Sequence, residues 1–213
     1  MCEKWLIIGI SGTTCGGKTT LANNLHDKFP IHSKVISQDD YFFEADDPRL
    51  EDIPDLKHKN FDSLGSLDME KMLKDINIMV QKRKGDFILN KFNGETTLSS
   101  KHIVETIREK LTSNNISILI IEGFCIFNYR PVADLCDLKY YISLTKDECY
   151  SRRMKRSYIP PDVPGYFEKY VWPQHLQQKK DVEENIPNVT WFDEHSENKL
   201  DKIMSDILNV IQI

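Results

Sequence analysis

Trp5-Leu6-Ile7-Ile8-Gly9-Ile10 runs into Ser11 and then into Gly12-Thr13-Thr14-Cys15-Gly16-Gly17-Lys18-Thr19, after which Leu21, Ala22 and Leu25 share one helical face. The apolar run reads as a buried strand, Lys18 to Lys28 reads as a helix, and the turn between them matches G-x-x-x-x-G-K-[ST]. That context gives the pattern a mechanism. Glycines let backbone N–H groups turn inward around phosphate oxygens, and the helix behind them presents its positive end to the same anion. Lys18 would reach the β and γ phosphates of a nucleoside triphosphate, and the Thr19 hydroxyl would ligate Mg²⁺. A Rossmann dinucleotide turn needs G-x-G-x-x-G, whereas the glycines here fall at 9, 12, 16 and 17. Asn198-Lys199-Leu200-Asp201 fits the N-K-x-D guanine motif of GTPases, but Leu200 belongs to the apolar stripe of a final helix. The central strand ends in Ile121-Glu122-Gly123 and not in D-x-x-G.

Outward from this loop, short strand-like runs alternate with stretches of helical period, the signature of an α/β fold with a parallel sheet. Val35 to Ser37, Ile116 to Ile121, Lys139 to Leu144 and Asn188 to Phe192 read as further strands. With the first, they make a P-loop NTPase-type sheet of about five strands with helices on both faces. Helical stripes run through Met69, Met72, Leu73, Ile76 and Met79, through Ile103, Ile107 and Leu111, and through Leu200 to Ile211. Thr145-Lys146-Asp147-Glu148 has capping-box spacing and should open a helix running to about Arg156. A further helix covers Tyr166 to about Glu184, interrupted or kinked near Pro173. Gly85 should end a turn, and Phe87 to Leu98 could pair as a hairpin around Asn93-Gly94.

Composition bounds the partners. The chain has 213 residues, 40% apolar and 29% charged, with 28 Lys plus Arg against 33 Asp plus Glu and a net charge of -5. One domain, residues 1–213, fits this length. A mildly acidic chain argues against nucleic acid as the main partner. Five cysteines without a C-x-x-C pair point to reduced thiols and a cytoplasmic protein. No apolar run approaches the ~20 residues of a membrane span, and no secretory signal is expected.

The acceptor of the γ-phosphoryl group should sit at the carboxyl ends of the strands. Asp39 and Asp40 follow the second strand, where a carboxylate can orient an acceptor hydroxyl, take its proton and help to hold Mg²⁺. Glu122 ends the central strand and is placed to hold the metal's hydration shell. Arg152, Arg153, Lys155 and Arg156 crowd one helix end, an arrangement that calls for an anion among them. Transferred phosphate answers that need, and Pro160, Pro161, Pro164 and Gly165 read as the hinge of a mobile lid over residues 150–166.

Several of these segments together carry a resemblance. They are Gly9 through Thr20, Ile36-Ser37-Gln38-Asp39-Asp40-Tyr41-Phe42, Ile120-Ile121-Glu122-Gly123-Phe124 with Phe127-Asn128-Tyr129, and Pro160-Pro161-Asp162 with Pro164-Gly165-Tyr166-Phe167 and Val171-Trp172-Pro173. From about Leu6 to Trp191 the chain resembles the nicotinamide riboside kinases of the uridine kinase-like P-loop kinase family. The resemblance implies ATP-dependent phosphorylation of the 5′-hydroxyl of nicotinamide riboside, giving nicotinamide mononucleotide for NAD synthesis. It implies Asp39 as catalytic base and metal-associated carboxylate beside catalytic Lys18, with Thr19, Asp39 and Glu122 as the metal set. Asp62 and Arg153 would hold the ribose, and Phe42 and Tyr158 would sandwich the nicotinamide ring, whose positive charge suits aromatic faces. Asp40, Tyr41, Phe61 and Ile159 complete the implied substrate set. Gly12 through Thr20, with Arg152, Arg156 and Tyr158, make up the nucleotide set. Phe61 stands where the family usually has Tyr, and Cys15-Gly16 replaces more polar loop residues. A uridine or other nucleoside kinase is the nearest alternative within the class, and an inactive binding protein the alternative outside it.

Overall fold

The computed structural model describes residues 4–80 and 100–211, so the hairpin expected around Asn93-Gly94 and the turn at Gly85 lie outside the described residues. In chain order the elements begin with β1 (Lys4–Gly12), α1 (Lys18–Lys28) and β2 (Ser33–Ser37), then two short strands β3 (Asp52–Ile53) and β4 (His58–Lys59). Next come α2 (Met69–Val80), α3 (Ser100–Asn114), β5 (Ile116–Glu122), the short α4 (Arg130–Ala133), β6 (Leu138–Ile142) and α5 (Lys146–Arg153). The chain ends with α6 (Trp172–Asn185), β7 (Val189–Phe192) and α7 (Lys199–Ile211). Five strands form one sheet in the order β2-β5-β1-β6-β7, all parallel, while β3 and β4 pair antiparallel.

Both central strands are buried on both sides, which is why they read as continuous apolar runs and not as alternation. Their side chains still alternate between two cores. Leu6, Ile8 and Ile10 of β1, with Ile118 and Ile120 of β5, meet the apolar stripes of α1, α3 and α7. On the other face Ile7, Leu119 and Ile121 meet α2 and Val182 of α6. Leu200 packs against the first core, so the N-K-x-D tetrapeptide opens α7 as a structural stripe.

Register then determines what meets at the carboxyl edge. Ser37 of β2 lies beside Glu122 of β5, and Glu122 lies beside Ile10 of β1, two residues before Gly12. Gly12 is needed where it stands. Its φ is 132°, and a Cβ there would come within 2.1 Å of the Ile142 carbonyl oxygen. One sequence expectation needs correction. The capping box forms in half, Thr145 Oγ1 accepting from the Glu148 N–H, but the helix it opens ends at Arg153 and not near Arg156. The long helix is interrupted ahead of Pro173, as expected: a π-helical turn, Phe167–Val171, precedes α6, an accommodation for a proline that lacks an N–H.

Gly123 is held by close approach: a Cβ would lie 2.3 Å from the side chain of buried Gln38, whose Oε1 accepts from the Cys125 N–H. Gly123→Ala is expected to lower stability by about 1–3 kcal/mol through overpacking, read from urea unfolding. An unchanged midpoint would show that Gln38 moves aside freely.

Candidate active site

The loop after β1 closes on itself through Thr13. Its N–H donates to the Ile142 carbonyl at 2.8 Å, and its own carbonyl accepts from the Gly16 N–H at 3.0 Å. Cys15 and Gly17 both take left-handed φ, 58° and 86°. Lys18, the first residue of α1, is buried and donates from Nζ to the Thr13 carbonyl at 2.9 Å. Burial pushes its pKa below the ordinary lysine value, opposed by the charges of Glu122 and Asp39. Thr19 Oγ1 lies 3.2 Å from each oxygen of Glu122, and Ser37 Oγ donates to Glu122 Oε1 at 2.5 Å. Only 2% of Glu122 is exposed, and burial pushes its carboxyl pKa up against the hydrogen bond from Ser37. An almost dry carboxylate flanked by hydroxyls, with Asp39 close enough to raise it further, is a set of hard oxygen donors suited to a small divalent cation.

Asp39 and Asp40 sit on a 3₁₀ turn, Gln38–Tyr41, directly after β2, with Ser37 Oγ accepting from the Asp39 N–H. Both carboxylates are exposed to a cavity of about 600 Å³ that also reaches Lys18, Thr19 and Glu122.

A buried ion cluster closes the other side. The Arg153 guanidinium donates to Asp62 at 2.9 and 3.0 Å and to Asp162 at 2.6 and 3.0 Å. Burial alone would lower its pKa, but the hydrogen bonds to Asp162 and the charge of Asp62 outweigh that and hold it above the ordinary value. Tyr166 adds a third tie, its hydroxyl donating to Asp62 Oδ2 at 3.0 Å and accepting from the Phe61 N–H at 2.9 Å. The Arg153 guanidinium also lies 4.7 Å from the Tyr158 ring centre. Tyr158 OH lies 3.3 Å from Cys15 Sγ, so the segment after α5 touches the phosphate loop directly. An aromatic wall lines the same cavity: Phe42 stacks on Phe124 at 6.0 Å, Phe61 meets Phe42 edge-on at 6.3 Å, and His58 abuts Phe61 at 5.9 Å.

Residues 7–186 match the phosphoribulokinase / uridine kinase family. The chain belongs to that family. Nicotinamide riboside kinase 1 of Homo sapiens is 37% identical over 191 residues, 89% of this chain and 84% of that protein. Nicotinamide riboside kinase 2 of Mus musculus is 34% identical over 207 residues, 96% of each chain. A uridine kinase of Chlamydia pneumoniae is 30% identical over 156 residues, 71% of this chain and 63% of that protein. The chain is therefore a P-loop kinase that transfers phosphoryl to an alcohol group.

The kinase gathers most of the residues expected from sequence into one cavity: Thr14 through Thr20, Asp39 and Asp40, Phe42, Phe61, Asp62, Glu122, Arg153, Arg156, Tyr158 and Ile159. Tyr41 is not among them. It points the other way, its hydroxyl donating to Asp75 at 3.2 Å. Gly12 and Thr13 lie behind the loop, the Thr13 N–H being used by β6. Arg152 also stays outside, donating to Glu148 at 2.6 Å and reaching the Cys15 carbonyl at 3.4 Å. The crowding of basic residues thus does not by itself demand an outside anion, since Arg152 and Arg153 have protein carboxylates. Phe42 already has Phe124 across one face, so any sandwich with Tyr158 uses its other face.

Sequence reading passed over Asp162, Tyr166 and His175. The first two lie inside the quoted proline and glycine motifs, Asp162 within the stretch that reads as a hinge and Tyr166 at the start of the helix after it, and neither carries a site role there. His175 carries no sequence signal. It is 6% exposed, with Nε2 3.1 Å from Thr13 Oγ1 and the rings of Trp172 and Tyr141 against it. Burial, then the charges of Lys18 and Lys179, push its pKa from 6.5 down to about 4. With the folded-state value below the unfolded one, the unfolded chain takes up the proton first. Stability from this residue is therefore intact above pH 6.5 and falls as pH drops from 6.5 toward about 4. The loss should reach about 3 kcal/mol. Urea unfolding of wild type and His175→Gln between pH 7 and pH 4 should show the wild type losing more by about that amount; parallel curves would refute the shift.

Proposed function

We propose that this kinase phosphorylates the 5′-hydroxyl of nicotinamide riboside with ATP and Mg²⁺, giving nicotinamide mononucleotide in the cytoplasm. The observation that carries the reading is the placing of exposed Asp39 in one cavity with buried Lys18, the Thr19–Glu122 pair and an aromatic wall. The identity to nicotinamide riboside kinases over most of the chain supports the choice of acceptor.

In this reading the phosphate loop takes the triphosphate on its inward backbone N–H groups, and Lys18 Nζ leaves the Thr13 carbonyl for the transferring oxygens. Arg156 adds positive charge at the cavity rim. Thr19 and Glu122, with Asp39 beside them, would hold Mg²⁺, which would supply positive charge against the phosphates. Asp39 orients the acceptor hydroxyl and takes its proton late, since a loose transition state asks the base for little until the new bond forms. Asp62 and Arg153 are fixed to one another and so meet the ribose hydroxyls without reorganising. The aromatic wall, with Asp40 and Asp39 nearby, suits a ring that is itself a cation. Residues 150–166 act as a lid, tied to the loop through Tyr158 and Arg153, all within one domain.

Purified protein should phosphorylate nicotinamide riboside with a higher kcat/KM than uridine; the reverse order would reject the acceptor while leaving the kinase assignment intact. Lys18→Ala should raise the transition-state barrier by about 3 kcal/mol or more, and Asp39→Asn should abolish turnover while nucleotide still binds. Near-normal kcat in either variant would refute the assigned role.

A further inference from the structure

The buried face of α6 carries His175, Gln178 and Val182 and continues from Val171 of the turn before it, the spacing of a stripe that should be apolar throughout. Val171 and Val182 obey this. His175 and Gln178 do not, and neither is explained by the chemistry above.

Each reaches a different side of the cavity. His175 Nε2 is 3.1 Å from Thr13 Oγ1, the same oxygen that accepts from the Leu144 N–H at 3.1 Å. Thr13 is thereby held through its side chain, and its carbonyl is the oxygen on which Lys18 Nζ rests at 2.9 Å. Three residues along, Gln178 Nε2 donates at 2.9 Å to the backbone carbonyl of Asp62, the residue whose carboxylate meets Arg153 and Tyr166. The Gln178 carbonyl in turn accepts from Asn128 Nδ2 at 3.0 Å, fixing this turn of the helix to the segment after β5. His175 and Gln178 are adjacent on one helical face, so the distance between their partners is set by a rigid rise of about 4.5 Å along the axis.

We propose that α6 is the positioning element of the active site: His175 holds the phosphate loop through Thr13, Gln178 holds the acceptor loop through the Asp62 carbonyl, and one helix fixes the spacing of donor and acceptor. Neither is a catalytic residue, since each acts through another. The inference rests on reading the two loops as the nucleotide and acceptor sides. Its physical basis is the cost of leaving a buried polar group unpaired, which makes both contacts hard to break without moving a loop. In-line transfer is sensitive to such movement, because misplacement by about 1 Å can cost a hundredfold in rate.

Three variants test it: His175→Leu, His175→Gln, which keeps a polar nitrogen near the position of Nε2, and Gln178→Leu. Measured are the Kd of a non-hydrolysable ATP analogue, and kcat with KM for ATP and for nicotinamide riboside, at a temperature well below each variant's Tm. His175→Leu should weaken analogue binding about tenfold or more, raise KM for ATP and leave KM for the riboside within about twofold, with His175→Gln recovering most of the loss. Gln178→Leu should do the converse, raising KM for the riboside with analogue binding near wild type. A lowered Tm with kcat and both KM values unchanged would reduce both residues to structural filling and overturn the proposal, as would equal shifts of both KM values in both variants. If His175→Leu does not fold, Thr13→Val against Thr13→Ser supplies the same contrast, with and without the hydroxyl. Should nicotinamide riboside prove not to be the acceptor, the analogue-binding arm still decides the His175 half, and the acceptor phosphorylated fastest replaces the riboside in the other.

Discussion

A carboxylate kept nearly dry at the end of a central parallel strand constrains everything around it. Glu122 sits among Ser37, Thr19 and Lys18, three residues from two other elements, and its burial is tolerable only because hydroxyl donors and an ammonium charge face it. That requirement fixes the register of β2 against β5, since a slip of one residue would turn Ser37 away. It also fixes where α1 begins, because Thr19 must present its hydroxyl from the first turn. The register of β2 against β5 and the start of α1 are thus two expressions of one local electrostatic demand.

Charge is handled differently on the far side of the cavity. The chain is acidic overall, yet its buried guanidinium, Arg153, faces two carboxylates from separate loops, Asp62 before α2 and Asp162 after α5. A pair of this kind contributes little net stability, because desolvation offsets most of the attraction, whereas removing one member leaves a buried charge. Its use is geometric. The bidentate fork fixes the acceptor loop and the segment after α5 relative to one another while leaving the cavity between them open.

What could be read from sequence follows from the range of each interaction. The phosphate loop, the Thr145 cap and the stripes of α2 and α7 are written in residues a few positions apart, and the sheet follows from their alternation. Tyr41 and Phe42 show where that ends: a one-residue difference in direction on a 3₁₀ turn decides which ring meets the cavity and which meets Asp75, and composition does not encode it. The surroundings of Arg153 at the end of α5 are likewise hidden, because its partners Asp62 and Asp162 come from other segments. Arg153 and Asp62 are 91 positions apart. Most remote is the contact between Thr13 and His175, separated by 162 positions, for which a lone histidine in a helical stretch gives no sign.

The path by which α6 reaches the site depends on the turn before it. Pro173 lacks an N–H, so a regular helix entering at Tyr166 would leave a carbonyl in the preceding turn without its usual donor. The π-helical turn over Phe167–Val171 widens the backbone where that bond is missing. It also changes the angular phase between the residues before and after it. Tyr166 on one side of the turn, and His175 and Gln178 on the other, all hydrogen-bond to the two loops of the cavity. An uninterrupted α-helical period would place positions 166 and 175 about 180° apart around the axis, on opposite faces. The wide turn is therefore the feature that lets Tyr166 meet the acceptor loop that Gln178 also holds, and the proline beside it belongs to the working geometry of the site as much as the residues that line it.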